Sequence, residues 1–111
     1  MSELTVEQKQ GDRPGTTIVQ VSGPLTLTSL GTLQSTLRNI TSELTVIDLS
    51  EVPHMDSAGL GALLSFLTAQ QKSGYRIAIA APTKRVHMLF ELTKVNTVLP
   101  VFATVSEAEQ S

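Results

Sequence analysis

The chain predicts a mixed α/β fold, and three observations predict it. Two alternating segments stand at the N-terminus on either side of the turn Gly11-Asp12-Arg13-Pro14-Gly15, the pattern of a β-hairpin. Two short runs of branched and small apolar residues follow, at 44–49 and 76–81, each of strand length. Between and after them, apolar residues recur at three- and four-residue spacing, the period of amphipathic helices. A hairpin followed by βαβ units implies one sheet with both antiparallel and parallel pairs, covered by helices.

Each element has its own signal. Leu4, Val6 and Gln8 alternate with Thr5, Glu7 and Lys9, and residues 16–21, with Ile18, Val19 and Val21, pair back across the turn. Gly23-Pro24 closes that strand. From about Thr28, the residues Leu30, Leu33, Leu37 and Ile40 mark a helix whose other face carries Gln34, Arg38 and Asn39. Residues 44–49 read as a buried strand. A helix then starts near Ser57, with Leu60, Leu63, Leu64 and Leu67 as its inner stripe and Gly74 as its stop. The small residues of 76–81 suit a central, closely packed strand. Pro82-Thr83 begins a helix with Val86, Met88, Leu89, Phe90 and Leu92 as apolar positions. Residues 98–102 form a last short strand, which Pro100 assigns to an edge. The terminal turns are capped either by Thr104 with Glu107 or by Ser106 with Glu109.

Composition narrows the function. At 111 residues, with 41% hydrophobic and 16% charged residues, the chain is expected to be a single domain over 1–111. A net charge of −2, with three Phe, one Tyr and no Trp, offers neither a cationic face nor a base-stacking platform, so no direct nucleic-acid partner is expected. The longest apolar stretch, 60–67, is too short to insert in a membrane, and the first residues lack a secretory signal. The absence of cysteine removes disulfides and thiolate chemistry, and a cytoplasmic location is expected.

Catalytic and metal chemistry find little to work with. The histidines are His54 and His87; a local Ser57–His54 pair would lack the Gly-x-Ser-x-Gly elbow that exposes a nucleophile. His54 reads as a solvated loop residue and His87 as a helix-surface one. Asp48, Glu51 and Asp56 do not have the spacing of a known metal site, and Gly59 and Gly61 do not make a phosphate loop. No enzyme activity, metal or cofactor is expected.

The most informative segment is Asp56-Ser57-Ala58-Gly59-Leu60-Gly61. If Asp56 caps the helix, Ser57 is its first residue and its hydroxyl lies at the rim, beside free N–H groups and the positive end of the helix dipole. A phosphate there would add roughly −1.5 to −2 charges where the dipole favours them. A partner lying flat over Gly59 and Gly61 would then meet a bulky dianion. The alternative is purely structural: Asp56 and Ser57 cap the helix, and the glycines, each costing about 1 kcal/mol in a helix, allow close helix–sheet packing. The residues alone leave both open.

The run Ile47-Asp48-Leu49-Ser50, followed by Met55-Asp56-Ser57-Ala58-Gly59-Leu60-Gly61-Ala62-Leu63-Leu64, resembles the signature of STAS domains, in particular bacterial anti-sigma factor antagonists. The likeness continues through Lys84-Arg85-Val86 and Leu89-Phe90-Glu91-Leu92-Thr93 to residues 98–102. It implies a STAS-like mixed sheet with helices mainly on one face. It also implies that Ser57 is phosphorylated with ATP by a partner anti-sigma factor serine kinase and reset by a serine phosphatase. The unphosphorylated protein would bind the kinase and release a sigma factor. The contact surface implied comprises Pro24, Thr26, Met55, Asp56, Ser57, Ala58, Gly59 and Gly61. A weak homodimer is counted among the partners, with oligomeric state otherwise open.

The chain departs from the family pattern in two places. The usual Gly-Glu-Leu-Asp stands here as Gly23-Pro24-Leu25-Thr26, without the acidic residue at Thr26. Lys94 replaces a helix-ending glycine, and since left-handed backbone is mildly costly for lysine, a different helix ending is expected. The neutral Thr26 keeps one alternative in play, a STAS subunit of a lipid-transporting ABC complex; a stressosome-like scaffold component, which would share the fold but assemble into large particles, is another. Lys84 and Arg85, cations in a first helical turn, read as solvated charges, with pairing to a partner's carboxylates or a place near a phosphorylated Ser57 as the alternatives.

Overall fold

Alternating apolar residues build a five-stranded mixed sheet in sequential order: β1 (Thr5–Gln10), β2 (Thr16–Ser22), β3 (Leu44–Glu51), β4 (Arg76–Ala80) and β5 (Val101–Phe102). The computed structural model describes residues 4–111. β1 runs antiparallel to β2, and the other pairs are parallel. Four helices connect or follow the strands: α1 (Leu30–Leu37), α2 (Ser57–Lys72), α3 (Lys84–Thr93) and α4 (Val105–Glu109). No helix among the described residues is long and apolar enough to cross a membrane.

The two-residue strand period divides the core between the sheet's faces. Val19, Val21, Ile47, Leu49, Ile77 and Ile79 point to one face, where Leu33, Leu63 and Phe90 from α1, α2 and α3 cover them. Burying each such side chain is worth about 1.5–3 kcal/mol. Ile18, Leu44, Val46, Ala78 and Ala80 point to the other face and meet Ala108 of α4. Three helices thus lie on one face and one short helix on the other. The small side chains of β4, Ala78 and Ala80, lie on the α4 face, where the short helix also packs Ala108.

Several boundaries differ from the sequence reading, each for a local reason. The helix expected from Thr28 begins at Leu30, because the Ser29 hydroxyl donates to the Pro24 carbonyl and accepts from the Thr26 amide, forming a turn first. It ends at Leu37, and Ile40 is buried beyond it. In α2, Phe66 joins the buried stripe and Leu64 is half-buried. α3 starts at Lys84 with Thr83 as its cap, so Pro82 lies outside. Its apolar face is narrower than expected: Met88 and Leu92 are exposed. The last strand is only Val101–Phe102; Val95–Thr97 form a 3-10 turn, Val98 is exposed, and the Pro100 carbonyl accepts from Ile79 N at 2.8 Å. β5 is an edge strand. Thr104, whose hydroxyl accepts from Glu107 N, caps α4.

Lys94 corrects one expectation directly: it takes the left-handed conformation (φ 60°, ψ 20°) that the family's glycine would supply, and no alternative ending is used. The turn it makes buries Val95 and Leu99, which offsets a backbone cost of about 1–2 kcal/mol. Lys94→Gly relieves that cost while adding unfolded-state freedom. We expect a net gain of about 0.5–1 kcal/mol in denaturant unfolding; an equal or lower midpoint would mean that Lys94 is not strained.

Candidate functional site

The β3–α2 connection lies at the carboxyl end of the parallel strands, and its geometry begins with a break in sheet register. β2 and β3 pair regularly from Thr16 with Leu44 to Gln20 with Asp48, then shift so that Ser22 faces Glu51. The Asp48 carboxylate accepts from Ser50 N at 2.9 Å within this bulge. Asp48 is therefore buried and committed to the backbone, while Glu51 is exposed. The chain then turns through residues 52–56, and Met55 makes an isolated parallel bridge to Leu25.

Asp56 joins this turn to the loop before α1. One carboxylate oxygen accepts from Gly59 N at 3.0 Å and caps α2; the other accepts from Leu27 N at 3.1 Å. Asp56 N in turn donates to the Leu25 carbonyl, and Leu25 N to the His54 carbonyl. The bonds from Gly59 and Leu27 favour the ionised form and hold the Asp56 carboxyl below its ordinary value.

Ser57 follows as the first residue of α2 and is exposed. Among the described residues its hydroxyl has no hydrogen-bond partner. Ala58 is half-exposed beside it, and Gly61 is exposed one turn further along. Pro24 and Thr26 are half-buried in the neighbouring loop, where the Thr26 hydroxyl lies 3.2 Å from that of Thr28. His54 is half-buried in the turn; His87 lies on the surface of α3 with Nε2 3.7 Å from Glu91.

The two glycines have different roles. A Cβ on Gly59 would sit 2.5 Å from the Leu25 carbonyl oxygen, so glycine is required for the loop to lie against α2. A Cβ on Gly61 would meet nothing within 4 Å. Close internal packing therefore explains Gly59 and leaves Gly61 unexplained. The sequence reading placed Met55 and Gly59 in the contact surface; both are buried beneath it and support it from below. Leu27, within the loop 24–28 that the sequence reading set beside this corner, is 72% exposed next to Asp56.

The rest of this end of the sheet is tied in. The Thr83 hydroxyl donates to the Val52 carbonyl at 2.8 Å, which anchors the start of α3 to the turn before Ser57. Lys84 and Arg85 are therefore exposed at the same end. A surface cavity of about 470 Å3 lies between α1 and α2, lined by Leu37, Phe66, Gln70 and Tyr75, and Ser57 is not part of it. The corner around Ser57 is a rim suited to surface contact.

Two substitutions separate the glycine roles. Gly59→Ala drives a methyl group into the Leu25 carbonyl and should cost about 1–3 kcal/mol, whereas Gly61→Ala should raise stability by up to about 1 kcal/mol; equal effects would contradict this division. Asp56→Asn keeps a capping side chain without its charge. Because the folded carboxyl is lowered, the wild-type advantage over this variant should be full above the unfolded carboxyl's value and fade as pH falls through the folded one. A difference independent of pH in denaturant unfolding would exclude the charge effect.

Comparison with known proteins agrees with this architecture. The family model described as STAS domain matches residues 5–108. A Thermotoga maritima protein named among the anti-sigma factor antagonists is 32% identical over 60 residues, covering 54% of this chain and 53% of that protein; the aligned region thus spans about half the length of the curated relatives it matches. The crystal structure of an anti-sigma factor antagonist from Mycobacterium paratuberculosis superposes with a TM-score of 0.86 at 22% identity, covering 97% of this chain and 92% of the other. A sulfate transporter family protein from Wolinella succinogenes superposes with a TM-score of 0.79 at 22% identity, over 90% and 86% of the two chains. At such identity these likenesses speak to fold, and the fold, the Ser57 corner and the family model agree: the chain belongs to the STAS domain family.

Proposed function

We propose that this protein is an anti-sigma factor antagonist, a non-enzymatic adaptor that binds an anti-sigma factor serine kinase when Ser57 is unmodified and releases it when Ser57 is phosphorylated. The observation that carries this reading is the free, exposed Ser57 hydroxyl in the first turn of a 16-residue helix, one turn from a glycine with open space over it. The likeness to proteins named as anti-sigma factor antagonists supports it.

The physical logic is local. Asp56 has both carboxylate oxygens engaged by backbone amides, and the dipole of α2 favours further negative charge. A phosphate on Ser57 therefore leaves the fold intact. A partner seated on Leu27, Ala58 and Gly61 would be displaced by bulk and by like charge, an effect worth several kcal/mol where a partner carboxylate faces the phosphate. The kinase transfers the γ-phosphoryl of ATP to the serine oxygen, the hydroxyl proton being lost and ADP leaving; a serine phosphatase hydrolyses the ester with water, releasing inorganic phosphate and restoring the hydroxyl.

A second reading keeps the same surface and omits the chemistry. The neutral Thr26 and the likeness to a transporter-family STAS structure favour a subunit of a membrane transport complex, including the lipid-transporting ABC type, docking through α2 without phosphorylation.

Incubation with the host's anti-sigma kinase and ATP, followed by mass spectrometry and binding measurements, distinguishes the two. We expect one phosphate on Ser57, wild-type-like binding by Ser57→Ala, and binding at least about tenfold weaker by Ser57→Asp. Equal binding by both variants, or no phosphate transfer, would overturn the switch.

A further inference from the structure

We propose that β1 is a self-complementary edge through which two copies of this chain join their sheets, pairing antiparallel about Gln8. The proposal is independent of the Ser57 reading. β1 is the outermost strand on its side of the sheet, and five of its six residues are exposed. The opposite edge, β5, is only two residues long and follows Pro100. β1 contains no proline or glycine and pairs with β2 without a register break; of the devices that usually blunt an edge it carries only the charges Glu7 and Lys9, which are of opposite sign.

The backbone phase fixes which groups face outward. β1 and β2 pair from Thr5 with Ser22 to Gln10 with Thr17, and just past the strand Gly11 N donates to the Thr16 carbonyl at 2.9 Å. Hydrogen-bonded and non-hydrogen-bonded pairs alternate in an antiparallel ladder. Thr5, Glu7 and Lys9 therefore direct their backbone groups toward β2, and Val6, Gln8 and Gln10 direct theirs outward. A second β1 must pair even-numbered residues with even-numbered residues.

Among such registers one sets opposite charges of β1 face to face. Centring on Gln8 pairs Gln8 with its copy and Val6 with Gln10 through the backbone, and sets Glu7 opposite Lys9 of the other copy twice over. Those charged residues fall at non-hydrogen-bonded positions, where facing side chains approach most closely. Centring on Glu7 or on Lys9 would instead oppose like charges. Glu7 and Lys9 are exposed and form no ion pair among the described residues, so both are available. The two-fold axis reverses strand direction, so the Ser57 corners lie at opposite ends of the joined sheet and stay open.

Sedimentation equilibrium of the full chain up to about 1 mM tests this, with circular dichroism confirming the fold of every variant. We expect a reversible monomer–dimer equilibrium. Glu7→Lys and Lys9→Glu should each weaken self-association by about tenfold, and an equimolar mixture of the two should form a heterodimer. Gln8→Pro removes an outward N–H without removing a β1–β2 bond and should abolish the dimer. A chain that stays monomeric at the highest concentration, a dimer unaffected by Gln8→Pro, or a mixture that fails to recover association would overturn the proposal.

Discussion

The two-handed Asp56 carboxylate is the interaction on which the site depends. One oxygen caps α2 through Gly59 N, and the other holds Leu27 N in the loop leading to α1. Two consecutive crossovers, β2–α1–β3 and β3–α2–β4, are thereby joined at the carboxyl end of the sheet. The Leu25 carbonyl completes the junction: it accepts from Asp56 N and lies where any side chain on residue 59 would have to be. Ser57 is exposed because everything around it is fixed from below.

This arrangement separates a buried support from an exposed surface. Met55, Gly59 and Leu25 are buried and set the shape of the corner. Leu27, Ser57 and Gly61 are exposed on top of it. Sequential strand order leaves no crevice where order reverses, the usual place for a ligand in an open α/β sheet. A corner that presents a rim in place of a cleft is suited to contact with another protein's surface, and under the proposed switch a dianion on Ser57 would change that surface without asking the core to move.

Much of this was legible in the sequence, and the misses are physical. Asp56 as cap and Ser57 as first helical residue followed from the change between strand and helix periodicity, and the α2 bounds agree. The hairpin was legible because its turn residues are specific. The starts of α1 and α3 were not, since Ser29 and Thr83 donate their hydroxyls to loop carbonyls that no local pattern reveals. Met88 and Leu92 looked like core by composition, but only Val86 and Phe90 of α3 are buried. The glycines needed coordinates: sequence shows two helix-weakening residues, and only their surroundings show that one is required by packing and the other is not. Lys94 shows the limit of propensity, a mild local cost accepted because the turn buries Val95 and Leu99.

Amide exchange and chemical-shift mapping of the protein before and after phosphorylation test the central claim most directly. If Asp56 holds the corner and the phosphate acts only on its surface, shifts should be confined to residues 24–28 and 56–61, with protection at Leu27 and Gly59 retained. Loss of that protection, or changes spread through the sheet, would mean that the modification works by remodelling the fold and would contradict the account.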